Sequence, residues 1–183
     1  MTAPNSVFIL ADDLGWADLG VYGATDFKTP HLDRLAAQGV RFNQAYANSA
    51  VCSATRIALI TGRYQYRLQA GLEEPLARHG AQLGLPADHP TLPSLLKQAG
   101  YDTALIGKWH LGKPPAYGPQ LSGYDYFFGN HSGAIDYFTH KPGVGEQFGR
   151  DLWQGSEPVE QYRPPDRSMS AVKTITILDE KLS

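Results

Sequence analysis

Residues 101–110 read YDTALIGKWH, a continuous apolar run that ends in charged and polar side chains. A strand buried on both faces of a parallel sheet has this appearance, whereas a half-exposed strand alternates apolar and polar. The pattern recurs at 6–13, SVFILADD, where the polar end is Asp12-Asp13. Helix patterns lie between the two runs. In TPHLDRLAAQG (29–39), Thr29 stands as N-cap, Pro30 opens the helix, Leu32, Leu35 and Ala36 share a face, and Gly39 stops it. SATRIALITG (53–62) reads as a helix opening just after Cys52. TLPSLLKQAG (91–100) reads as another, capped by Thr91 and stopped by Gly100. VRFNQAYA (40–47) alternates and is expected to be a strand. The order β-α-β-α-α-β predicts an α/β fold with a mostly parallel sheet flanked by helices. From 112 to 165 the chain is rich in Gly, Pro and aromatics and weak in periodicity, as long ordered loops over a site would be.

Composition narrows the classes. The 183 residues are 42% hydrophobic and 19% charged, enough apolar content for a packed core. The net charge is -2, from 18 acidic and 16 basic side chains, and no basic stretch marks a nucleic-acid surface. The single cysteine excludes an internal disulfide and a cysteine-rich metal knuckle. The N-terminal apolar run is too short for a signal-peptide core or a membrane span. No membrane partner is expected. The expected location is the cytoplasm, or the periplasm if a leader precedes this sequence.

The polar residues fall where such a sheet binds ligands, beyond the carboxyl ends of its strands. Asp12 and Asp13 follow one strand there, and Lys108 and His110 follow another. Cys52 opens a helix, where free N–H groups favour an anion. Arg56 is about one turn further on and can share that face. Paired carboxylates favour a hard divalent cation, and the cationic groups favour a tetrahedral oxyanion. Each residue taken alone has a plainer reading. A lone cysteine is usually a small buried hydrophobe, and two aspartates can simply end a strand. Trp109 reads as packing. What sets the group apart is that all its members share one predicted edge. A cysteine phosphatase is disfavoured, because CSATR leaves only three residues between Cys52 and Arg56, too few to cradle a phosphate.

Five segments, taken together, resemble the type I sulfatase family of the alkaline phosphatase superfamily. AVCSATRIALITG (50–62) is similar to its first signature and GYDTALIGKWHLG (100–112) to its second. NSVFILADDLGWADLGVYG, TPHLDRLAAQGVRFNQAYA and HPTLPSLLKQAG resemble it in the expected order. The resemblance covers roughly residues 5–160, which makes 1–160 the N-terminal part of a catalytic domain and 161–183 an atypical tail. It implies an incomplete alkaline-phosphatase-like sandwich and hydrolysis of sulfate esters, aryl or carbohydrate. It implies that a formylglycine-generating maturation enzyme oxidises Cys52 to formylglycine, whose hydrate is the nucleophile. It further implies a divalent ion, calcium or alternatively magnesium, on Asp12, Asp13 and modified Cys52. Arg56 would stabilise the hydrated aldehyde, Lys108 would contact the sulfate, and His110 would hold the formylglycine hydroxyl and help expel sulfate. The expected partner is a sulfated small molecule or glycan. Two alternatives stay open: a phosphodiester or phosphonate monoester hydrolase of the same superfamily, and an inactive truncated remnant with a binding role. Activity of the 183-residue chain alone is expected to be weak or absent.

Overall fold

The computed structural model describes residues 4–72, 83–142 and 149–159, and the backbone of 174–179. The chain divides into two compact units, Ala11–Ala47 and the remainder.

The larger unit is built on a six-stranded sheet. Its strands are β1 (Ser6–Ile9), β2 (Asp102–Lys108), β3 (Tyr126–Asn130), β4 (Trp153–Gln154), β5 (Glu157–Pro158) and β6 (Thr174–Asp179). Their order across the sheet is β1-β6-β2-β3-β4-β5. β2 and β3 pair in parallel, from Ala104↔Tyr126 to Lys108↔Asn130. β6 is antiparallel to both β1 and β2, so β1, β2 and β3 all run the same way. β1 and β2, two of the three strands expected to be parallel, therefore run the same way, but the sheet is mixed. Its antiparallel members are the β4–β5 ribbon and β6. β6 comes from the segment read as an atypical tail, and the rest of that tail lies outside the described residues.

Among the described residues of this unit, three α-helices form: α2 (Cys52–Thr61), α3 (Gln69–Leu72) and α4 (Leu92–Gln98). α2 begins at Cys52 itself. It ends where Gly62 takes the left-handed conformation at φ 65° and donates its N–H to the Ala58 carbonyl. α4 is capped as expected, since Thr91 Oγ1 accepts the Ser94 N–H at 3.2 Å. The core joins Ile57 and Ile60 of α2 to Leu105, Trp109, Leu111, Tyr124 and Phe127 around the two parallel strands. Trp109 is buried and meets Tyr124 edge-on at 6.3 Å, the packing role expected of it. β1 departs from expectation. Val7, Phe8 and Ile9 are exposed, because the core gathers around β2 and β3 while β1 lies at the sheet margin beyond β6. No helix among the described residues is long and apolar enough to cross a membrane.

The smaller unit carries α1 (Pro30–Gln38). Thr29 is its N-cap residue, with its hydroxyl turned to the 20–21 turn and the helix's first carboxylate. Thr29 Oγ1 accepts from Gly20 N at 2.8 Å and donates to Asp33 Oδ1 at 3.0 Å. Asp33 also accepts Val21 N–H at 2.7 Å. The strand expected at 40–47 does not form. The segment bonds to the neighbouring turn instead of a ladder: the Tyr22 hydroxyl donates to the Phe42 carbonyl at 3.0 Å, and Arg41 Nη1 donates to the Val21 carbonyl at 2.8 Å. Alternation alone makes no strand without an edge to pair with.

β2 and β3 meet with no side chain between them at one point. A β-carbon on Gly129 would lie 1.8 Å from the Gly107 carbonyl oxygen. Backbone cannot yield as a flexible side chain can, so overpacking here is costly. Gly129→Ala is expected to lower unfolding free energy by more than about 2 kcal/mol in urea titration. Gly149→Ala, with nothing within 4 Å of its β-carbon, is the matched control and is expected to change little. Equal stability of the two variants would contradict this packing.

Candidate active site

The parallel ladder does not stop at the strand ends. Trp109 N donates to the Asn130 carbonyl at 2.9 Å and His110 N to the His131 carbonyl at 3.2 Å. The two chain segments therefore leave the carboxyl edge of the sheet side by side. His110 takes a left-handed backbone at φ 59°, uncommon for a residue with a β-carbon. From there its Nδ1 stands 3.1 Å from Cys52 Sγ.

Cys52 is the first residue of α2, and the loop before it is tied down. The Thr55 hydroxyl donates to the Ser49 carbonyl at 2.6 Å and accepts Ser49 N–H at 2.9 Å, while Val51 N donates to Ser49 Oγ at 3.0 Å. Ile57 and Ile60 anchor the helix in the core, which fixes where its N-terminus points. Arg56, one turn on, is buried and donates from Nη1 to the Lys108 carbonyl at 2.7 Å. Lys108 and His110 are buried as well. Cys52, Arg56, Lys108 and His110, all expected to act together, are thus brought together in one unit. Charge there is strengthened by burial and by the partial positive charge of the helix start. Such a donor set suits a tetrahedral oxyanion and a polar, oxygen-bearing side chain at position 52.

Asp12 and Asp13 belong to the smaller unit, where Asp13 holds a left-handed backbone at φ 62°. Among the described residues, no group of three or more His, Cys, Asp or Glu side chains is placed to hold a metal ion. The paired carboxylates have the right oxygen chemistry for a hard cation, but two fall short of the six to eight ligands calcium takes. The described residues do not by themselves make an ion site.

Three residues that the sequence reading passed over shape this edge. Asp151 is buried and collects Ser132 N–H at 2.7 Å, Trp153 Nε1–H at 2.8 Å and His131 N–H at 3.3 Å. Burial alone would raise its pKa. The donors of His131, Ser132 and Trp153 outweigh it and bring the carboxyl down from 3.8 to about 2. The His131 ring lies between Phe127, at 5.0 Å, and Trp153, at 5.2 Å. Gly133, two residues on, approaches the His110 ring.

The chain belongs to the sulfatase family: the family model described as Sulfatase matches residues 4–172. Mouse arylsulfatase J is 41% identical over 164 residues, 87% of this chain and 26% of the relative. Rat N-acetylgalactosamine-6-sulfatase is 42% identical over 141 residues, 73% of this chain and 27% of the relative. The solved structure of Ps i-CgsB superposes with a TM-score of 0.74 at 33% identity, over 84% of this chain and 36% of that one. The same protein, in complex with k-i-k-neocarrahexaose, superposes at 0.71. The fold is thus alkaline-phosphatase-like, and the chain spans about a quarter of the length of these curated relatives.

Asp151 gives a pH signature. Its folded pKa lies below the ordinary value, so its stabilisation is complete above about pH 4 and disappears as pH falls through about 2. Near neutral pH, Asp151→Asn is expected to be less stable than wild type by about 2 kcal/mol. That gap should close between pH 4 and 2 in urea titrations at fixed temperature. A gap constant over this range would show that the carboxylate is not held by these donors.

Proposed function

We propose that the protein carrying this sequence hydrolyses sulfate esters, with residue 52 as the nucleophile position in its formylglycine form. The observation that carries the reading is the 3.1 Å approach of His110 Nδ1 to Cys52 Sγ beside the buried cations Arg56 and Lys108. Family membership supports it, as does the range of sulfatases among the relatives. Formylglycine, when installed by a maturation enzyme, supplies a hydroxyl nucleophile through its hydrate.

The chain's own residues supply the rest. Lys108 attracts the sulfate oxygens and offsets the charge that grows on them in the transition state, and Arg56 stabilises the hydrated side chain of residue 52. Held in place beforehand by the core, they need no reorganisation when the charge develops. His110 Nδ1 holds a proton at the side chain of residue 52 and moves it as that hydroxyl attacks and as sulfate leaves. The start of α2 adds its partial positive charge at the same point. Losing one such donor costs about 10²–10³ in rate, so Arg56→Ala and Lys108→Ala are each expected to fall by that order.

The substrate class we propose is a sulfated glycan or small aryl sulfate. Support comes from the N-acetylgalactosamine-6-sulfatase relative and from the neighbour bound to k-i-k-neocarrahexaose. The ion we propose is calcium, with magnesium as the alternative, on the hard carboxylate oxygens of Asp12 and Asp13. Calorimetric titration with calcium is expected to show weak binding that disappears in Asp13→Ala. Binding that survives Asp13→Ala would remove the ion from this pair.

The functional test is a panel of aryl sulfate, phosphate monoester, phosphodiester and phosphonate monoester, run on the formylglycine-containing protein with Cys52→Ala as the blank. The expected result is turnover of the sulfate ester, absent from the blank. Preference for a phosphorus ester would move the protein to the sister activity. Equal turnover in the blank would contradict the role of residue 52.

A further inference from the structure

We infer that Gly133 is a positioning residue: it fixes where the His110 imidazole stands relative to residue 52. A β-carbon on Gly133 would lie 2.6 Å from His110 Cε1, 2.7 Å from Nε2 and 3.1 Å from Nδ1. The turn backbone therefore lies against the ring, on the same imidazole that reaches Cys52 through Nδ1 at 3.1 Å. Gly133 is not among the residues with a left-handed backbone. Alanine is thus conformationally allowed there, and what it would meet is the ring.

The turn is itself held firmly. His131 N and Ser132 N, successive donors, both point into the buried carboxylate of Asp151, at 3.3 Å and 2.7 Å. The His131 carbonyl accepts His110 N–H at 3.2 Å. His110 is consequently gripped twice from one turn. The His131 carbonyl holds its backbone, which keeps the left-handed conformation at φ 59°, and Gly133 bounds its ring. Non-glycine residues keep such a conformation only where their surroundings impose it. A methyl group at 133 has two ways to be accommodated. The turn is pinned at Asp151, whereas the ring can rotate about its side-chain bonds, so the ring gives way and leaves residue 52.

The consequence for turnover rests on the sulfate-ester reading above, whereas the consequence for the ring does not. The test uses Gly133→Ala, Asp151→Asn, His110→Ala and the double variant Gly133→Ala/His110→Ala, each as the full chain. In the unmodified protein, the ring Cε1–H resonance of His110 is identified by its loss in His110→Ala. It is expected to shift in Gly133→Ala and in Asp151→Asn, while the resonances of His31 and His89 stay in place. In the formylglycine-containing protein, Gly133→Ala is expected to lower kcat by ~10- to 100-fold with KM within about twofold, the effect of a misplaced catalytic group. In the His110→Ala background the same substitution is expected to change neither constant further. A His110 resonance that moves in a protein without sulfate-ester turnover supports the positioning role and overturns only the catalytic reading. An unmoved resonance in Gly133→Ala overturns the inference. So does an equal kcat loss when Gly133→Ala is added to His110→Ala.

Discussion

The approach of β2 to β3 at Gly107 and Gly129 is the constraint on which the rest of the site depends. A parallel pair can leave a sheet in register only if nothing wedges it apart, and here backbone meets backbone with no room for a methyl group. The ladder then runs past the strand ends through Trp109–Asn130 and His110–His131. One exit delivers His110 to Cys52, and the other delivers the 131–133 turn to the back of the same ring. A sheet splayed at this point would lose both.

Burial turns this geometry into chemistry. Arg56, Lys108 and His110 are each nearly inaccessible, which is uncommon for such side chains and costs desolvation. The core that includes Ile57, Ile60, Leu105 and Phe127 holds the elements that carry them, and burial weakens the screening of their charges by water. Under the proposed function this arrangement would help, because cations fixed in advance need no reorganisation when charge develops on a substrate. The low pKa of Asp151 has a similar origin: donors fixed by the fold favour its ionised form despite burial.

Much of this was legible in the sequence, for local reasons. α1 and α4 carry their own start and stop residues, α2 carries its stop at Gly62, and β2 is an apolar run closed by polar groups. Cys52, Arg56, Lys108 and His110 sit at a helix start or a strand end, so the architecture alone draws them to one edge. The rest depended on non-local partners. The alternation at 40–47 resembles a strand but finds no edge: the Phe42 carbonyl accepts from the Tyr22 hydroxyl, and the Arg41 side chain turns to the Val21 carbonyl. β1 has the apolar run of a buried strand yet is exposed, since burial depends on which strands the core gathers around. The direction and place of β6 follow from its pairing with β1 and β2, far away in the chain. Asp151 lies twenty residues from His131, within a stretch rich in glycine and aromatics, and no local period connects it to the turn it holds. Gly133 carried a faint signal, a glycine just after a strand end, but its meaning is set by the His110 ring.

The state of the side chain at residue 52 is what the chemistry turns on. Peptide mass spectrometry of the protein co-expressed with a formylglycine-generating maturation enzyme reads it directly. The expected result is an aldehyde at position 52, trapped by an aminooxy reagent and absent when the maturation enzyme is omitted. A cysteine thiol persisting in full under co-expression would contradict the assignment of residue 52 as a formylglycine nucleophile.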